Sequence, residues 1–148
     1  MNRTTLAILI ATAAGAATPG CVVYSDDYTP GGGVIIENAA PYVTGADAWV
    51  YYDPYYVDDI WAFEATVDDP DGVLDVASVW ADVYDEGAGG VLVESFELYP
   101  TDDPYYWYSD WLGSTTYLDP FWPSYSVDFV VYDAYDAYGY TTVWASTY

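Results

Sequence analysis

The chain has 148 residues, of which 24 are Asp or Glu, one is Lys or Arg and none is His, so its net charge at neutral pH is −23. Phosphate binding needs cationic side chains, and nucleic acid is therefore excluded as an expected partner. The chain is 20% aromatic, whereas disordered acidic chains are poor in aromatic residues. The composition predicts one folded acidic domain with an apolar core.

The first 20 residues have the layout of a secretory signal peptide, with Arg3 followed by an apolar run over residues 6–17. That run is shorter than the roughly 20 residues of a membrane-spanning helix. Cys21, the single cysteine, resembles the lipid-modified first residue of a bacterial lipoprotein. The resemblance implies acyl chains such as palmitate on Cys21 and attachment to the cell envelope, and Val22 after it favours the outer membrane. The alternative is an ordinary secretory signal cut within residues 14–17, which leaves a free thiol.

Removal of the signal segment takes away the only basic residue. The remaining chain then carries 24 acidic side chains and no Lys, Arg or His. No ion pair between side chains can form in it, and the expected charged partners are metal cations or basic protein surfaces.

Residues 21–40 are predicted to form a lipidated flexible tether, because the run Thr29 to Gly33 (Thr-Pro-Gly-Gly-Gly) is loop chemistry. From residue 41 onward, apolar and polar residues alternate between clusters of turn residues, which is typical of antiparallel strands. The pattern predicts seven strands, A to G, at Tyr42–Tyr52, Ile60–Val67, Val73–Tyr84, Val91–Tyr99, Tyr105–Leu118, Tyr125–Tyr132 and Tyr140–Thr147. Inward-facing positions are expected at Phe63, Val67, Val79, Val83, Val127, Phe129 and Val131.

Residues 63–85 resemble the B–C hairpin of bacterial immunoglobulin-like or cadherin-like domains, with an Asp-Pro-Asp-Gly turn before a strand of alternating Val. Residues 129–139 resemble the F–G hairpin of the same domains. The resemblance implies a single immunoglobulin-like antiparallel β-sandwich over residues 41–148. Such domains in bacterial envelopes mostly bind, space or stiffen, and the fold by itself does not fix the function.

The B–C, D–E and F–G loops of such a sandwich gather at one end and are rich in Asp. Calcium binds six to eight oxygen ligands, so these loops are a candidate Ca²⁺ site. Its expected ligands are Asp69, Asp71, Asp103, Asp133 and Asp136. The alternative is that Asp stands there because it suits turns. The prediction also requires strand E to be continuous, because a hairpin at Leu112–Ser114 would move the F–G loop to the other end.

Short aromatic motifs recur along the chain: Asp-Pro-Tyr-Tyr at residues 53–56 and 103–106, and Asp-Pro-Phe-Trp at 119–122. One interpretation is a stacking platform for sugar rings, built from Tyr55, Tyr56, Trp61, Phe121 and Trp122. The alternative is that Tyr and Trp cover a sheet, where they pair well across strands.

The usual nucleophile–base pairs are absent from the sequence, which has no His and a single Cys. We therefore expect a protein that is not an enzyme and needs no cofactor, with Ca²⁺ as the one candidate ion. The expected function is that of an envelope lipoprotein that makes protein contacts or acts as a spacer. The alternative is a module that binds a glycan or calcium.

Overall fold

The structure is a computed structural model that describes residues 21–22, 37–122 and 124–147. The predicted signal segment, residues 1–20, and most of the predicted tether lie outside the described residues. Ten strands are present: β1 Cys21–Val22, β2 Glu37–Asn38, β3 Tyr42–Asp53, β4 Asp58–Asp68, β5 Val76–Asp85, β6 Val91–Pro100, β7 Tyr106–Leu112, β8 Tyr125–Asp133, β9 Tyr138–Trp144 and β10 Ser146–Thr147. The helical residues in the described ranges form three single 3-10 turns, at Val73–Asp75, Glu86–Ala88 and Gly113–Thr115.

The predicted all-β class is confirmed. Eight strands form one sheet in the order β10-β3-β4-β7-β6-β5-β8-β9, and β1 and β2 form a separate antiparallel pair. All neighbours in the large sheet are antiparallel except β10, which runs parallel to β3. The sheet is nearly closed on itself, because β9 at one edge lies against β3.

The sheet has eight strands where the sequence predicted seven, because predicted strand G is divided at Ala145. Its first part, β9, pairs with β8, and its second part, β10, pairs with β3. The close approach of β9 to β3 depends on Gly139, since a Cβ there would lie 2.3 Å from the carbonyl oxygen of Pro41. The predicted seven-stranded sandwich is therefore not confirmed in that form.

Two predicted strands are too long. Strand E ends at Leu112 and is followed by the 3-10 turn at Gly113–Thr115. The described residues between this turn and β8 form no strand, so the additional hairpin at Leu112–Ser114 does not form. Strand C begins at Val76, because residues 73–75 form a 3-10 turn. As β8 remains antiparallel to β5, the β8–β9 loop lies at the same end as the β4–β5 loop.

The core prediction is confirmed: all seven residues expected to face inward have no exposed surface. The rings of Phe63 and Phe96 stack with centroids 4.8 Å apart, and Trp61 packs edge-on against Tyr125 at 5.8 Å. Strands β5 and β8 thus bury one face along most of their length, as their period-2 patterns require.

The strands give the domain two ends. The acidic end holds the segment at residues 38–41 and the loops at 69–75, 101–105 and 134–137. The far end holds the loops at 54–57, 86–90 and 113–124 and the division at Ala145. The longest strand, β3, has 12 residues and runs from one end to the other.

Candidate functional site

Three carboxylates converge at the acidic end. One carboxylate oxygen from each of Asp69, Asp75 and Asp133 lies within 4.8 Å of the other two. Asp69 is 4% exposed and Asp133 is 2% exposed, while Asp75 is half-buried. The Ala134 amide donates a hydrogen bond to the Asp75 carbonyl over 3.0 Å, which joins the two loops that carry the cluster.

Asp69 is placed by the turn that ends β4. Its Oδ1 accepts a hydrogen bond from the Asp71 amide (2.7 Å), and its carbonyl accepts one from the Gly72 amide (2.9 Å). Gly72 has φ 122°, a value that favours glycine, and the 3-10 turn after it returns the chain to Asp75. The second oxygen, Oδ2 of Asp69, is buried and has no hydrogen-bond partner. A buried polar atom without a partner is costly, so this oxygen needs an explanation.

Asp133 is held by three hydrogen bonds. Its Oδ1 accepts from the amides of Tyr135 (2.8 Å) and Ala137 (2.9 Å). Its Oδ2 accepts from the side-chain amide of Asn38 (2.5 Å), and the Ala39 amide donates to Asp71 Oδ2 (2.7 Å). The segment that leads into the domain is therefore bound directly to the acidic loops.

Among the described residues, no positive side chain compensates the charge of the cluster. Burial raises the pKa of Asp69 above its usual value; the hydrogen bond from the Asp71 amide opposes this rise, and the neighbouring charges of Asp71, Asp75 and Asp133 add to it. The single basic residue of the chain is Arg3, and residues 21–148 contain no Lys, Arg or His, so no described side chain carries a positive charge that could relieve this repulsion.

The structure brings together two of the five residues that the sequence suggested as ligands, Asp69 and Asp133. Asp71 is exposed beside them and binds the Ala39 amide. Asp103 and Asp136 are exposed turn residues outside the cluster. Sequence reasoning missed Asp75, although it follows Asp69 and Asp71 in one short loop.

The expected aromatic platform does not form as one surface. Trp61 is 1% exposed and belongs to the core, so it cannot stack on a ligand. Its position was readable from the sequence, because it alternates in phase with the buried Phe63. Tyr55 and Tyr56 are exposed in the β3–β4 turn and touch edge to face at 5.0 Å. Phe121 is exposed in the connection before β8.

Trp122 has a structural role. Its indole N–H donates to Asp85 Oδ1 over 2.9 Å. Its ring covers Gly87, where a Cβ would lie 2.5 Å from the ring. Trp122 therefore fastens the connection at residues 113–124 to the β5–β6 turn.

The recurring Asp-Pro motifs form turns. In these three and in the Asp-Pro-Asp-Gly turn at residues 69–72, the Asp Oδ1 accepts a hydrogen bond from the amide two residues later, at 2.7 to 3.0 Å; the Asp residues are Asp53, Asp69, Asp103 and Asp119. The two Asp-Pro-Tyr-Tyr motifs lie at opposite ends of the domain. They are therefore not two copies of one binding unit.

Backbone pairing places Cys21 opposite Asn38, next to the acidic end. Among the described residues, no helix has the length and apolar character needed to cross a membrane. No model of a known protein family matches the chain, and no curated protein is significantly similar to it.

Proposed function

We propose that the protein is a non-catalytic, lipid-anchored module of the bacterial cell envelope whose β-domain binds Ca²⁺ at Asp69, Asp75 and Asp133. The observation that carries the calcium site is the buried Oδ2 of Asp69, which has no partner and lies in a cluster of three carboxylates. A divalent cation would supply both the missing partner and the missing countercharge.

The donor set favours calcium over other metals. Zinc is bound mainly by Cys and His, whereas this cluster offers carboxylate oxygens alone. Magnesium requires near-octahedral geometry and keeps its waters. The loops have irregular geometry, and backbone hydrogen bonds already hold one oxygen each of Asp69 and Asp133, so calcium with its flexible coordination fits best.

The place of the site supports a role in fixing the domain to its anchor. Asn38 binds Asp133, and the Ala39 amide binds Asp71; both Asn38 and Ala39 belong to the last part of the predicted tether. A cation that neutralises Asp133 and its neighbours would remove repulsion at this junction and stiffen it. Extracellular modules bind calcium with dissociation constants of about 0.1–1 mM, the range in which such a site would respond.

The finer fold assignment also belongs to this proposal. Strands β6 and β7 pair through two residue pairs only, Tyr99 with Tyr108 and Pro100 with Trp107. That short link supports a sheet folded into two facing halves, β10-β3-β4-β7 and β6-β5-β8-β9. This arrangement suits an immunoglobulin-like sandwich that acts as a spacer or contact module.

The test is thermal unfolding of the full chain at fixed ionic strength. An acidic chain without cations repels itself, so NaCl alone should raise Tm. Calcium at about 5 mM should raise Tm clearly beyond an ionic-strength match of MgCl₂. Equal responses to the two ions would reduce the acidic end to a diffuse ion atmosphere and reject the site.

A further inference from the structure

A second surface, at the far end, combines aromatic rings with a carboxylate. A groove of about 680 Å³ is lined by Val50, Tyr51, Tyr52, Asp59, Pro120, Phe121 and Thr147. It is formed by the end of β3, the start of β4, the connection before β8 and strand β10. Phe121 is 86% exposed at its rim, and Tyr52 is 57% exposed.

The rim is ordered by its own hydrogen bonds. The Phe121 amide donates to Asp119 Oδ1 over 2.9 Å, and the Asp119 amide donates to the Tyr125 hydroxyl over 3.1 Å. Trp122 is fastened to Asp85 on the other side. The connection that carries Phe121 is thus held in place by hydrogen bonds of Asp119 before it and of Trp122 after it.

Asp59 differs from two other carboxylates at this end, those of Asp58 and Asp85. The Asp58 carboxylate accepts hydrogen bonds from the amide and hydroxyl of Ser114, and Asp85 accepts from Trp122 and the Ala88 amide. Within the described part of the chain, no group donates a hydrogen bond to the Asp59 carboxylate. Asp59 pairs directly across the two strands with Tyr52.

The groove is therefore suited to a cation carried on an apolar stem. Aromatic faces attract cations, and a Lys or Arg stem packs along apolar surface while its head reaches a carboxylate. Residues 21–148 contain no basic side chain, so once the predicted signal segment is removed the positive group must come from another molecule. Anionic glycans and phosphates would be repelled by the same charges.

We propose that this groove binds an arginine or lysine side chain presented by an exposed basic segment of a partner protein. The planar guanidinium of arginine stacks on aromatic rings and forms paired hydrogen bonds with a carboxylate, so arginine binds more tightly than lysine. The proposal is independent of the calcium site, because Asp59 and Asp69 lie at opposite ends of β4.

The test measures how tightly a fluorescent Gly-Ser peptide that contains two arginines binds to the full chain. The chain is kept in neutral detergent at near-physiological salt, and EDTA is present to remove divalent cations. Analogues with lysine or with uncharged citrulline replace the arginines. We expect citrulline to weaken binding about tenfold or more and lysine to weaken it less. Asp59→Asn and Phe121→Ser should each weaken arginine-peptide binding about fivefold or more.

Two variants serve as matched controls. Asp102→Asn removes one charge from an exposed loop at the acidic end, and Tyr117→Ser removes an aromatic ring that is 84% exposed but does not line the groove. Both should bind the arginine peptide about as the wild-type chain does.

Three results would overturn the proposal. Equal loss in Asp102→Asn and Asp59→Asn would mean attraction to the overall charge. Equal binding of the citrulline peptide, or no binding at millimolar protein, would mean that the groove does not select a cation. The third result is displacement of the arginine peptide by a neutral oligosaccharide. If that displacement is lost in Phe121→Ser and kept in Asp59→Asn, the groove is a sugar site.

Discussion

Replacing Asp69 with Asn should stabilise the domain in the absence of calcium and abolish the stabilisation that calcium gives to the wild-type chain. Asn keeps the Oδ1 that accepts from the Asp71 amide and removes the charge on the buried carboxylate. Two like charges no more than 4.8 Å apart repel by roughly 3 kcal/mol or more at an effective dielectric constant of about 20. Hydrogen bonds to Asp133 offset part of this repulsion. In EDTA, Asp69→Asn should therefore stabilise the domain by about 1–2 kcal/mol.

Calcium should offset this advantage by stabilising the wild-type chain alone. For a dissociation constant of about 0.5 mM, free calcium at about 5 mM stabilises the native state by about 1.4 kcal/mol. In a domain of this size, that gain raises Tm by about 5–8 °C. The wild-type chain should show this rise and Asp69→Asn should not, because it lacks the charged ligand.

Differential scanning calorimetry of both chains, in EDTA and in calcium, measures the effect. Asp136→Asn is the matched control, because it removes one exposed charge at the same end but outside the cluster. The control should keep the calcium response. The reasoning is refuted if Asp136→Asn loses as much of the response as Asp69→Asn does, or if Asp69→Asn is less stable than wild type in EDTA. The second result would mean that Asp69 is protonated and well hydrogen-bonded in the native state.

Three further predictions address the core, the alkaline limit and the anchor. Phe129→Ala should lower the free energy of unfolding by about 3–5 kcal/mol in urea titrations, since this ring is fully buried, and a loss below about 1 kcal/mol would contradict its place in the core. A hydrogen bond from Tyr106 to Glu64 raises the pKa of that phenol to about 12. The folded state then keeps a proton that the unfolded chain releases near pH 10, so stability should fall as pH rises from about 10 to 12, and Tyr106→Phe should weaken that fall. Intact mass should show acyl chains on Cys21, and Cys21→Ala should leave the membrane fraction; an unmodified mass would contradict lipidation.

The sequence predicted the approximate places of the large strands and their inward-facing residues, because alternation has a physical cause. One face of each strand is buried, so the positions of Phe63, Val83 and Phe129 follow from period 2 alone. The same rule predicts that Trp61 faces inward. The proposed aromatic platform was wrong at Trp61 because it did not take this alternation into account. The division of strand G at Ala145 was not readable, because pairing of β10 with β3 depends on how the sheet curls.

The site was only partly predictable for a related reason. Strand direction brings the β4–β5 and β8–β9 loops together, which is why Asp69 and Asp133 were paired correctly in advance. Which carboxylates turn inward depends on local hydrogen bonds within each turn. The 3-10 turn at Val73–Asp75 directs Asp75 back to the cluster, and the sequence predicted strand there.

The most direct test of the calcium site is a crystal structure of the full chain grown with calcium at about 5 mM. The account predicts one anomalous peak in contact with the carboxylates of Asp69, Asp75 and Asp133, at the oxygen distances of about 2.3–2.6 Å typical of calcium. A peak-free cluster in which Asp69 Oδ2 forms a short hydrogen bond with a neighbouring carboxylate would contradict it, because a shared proton would then supply the missing partner.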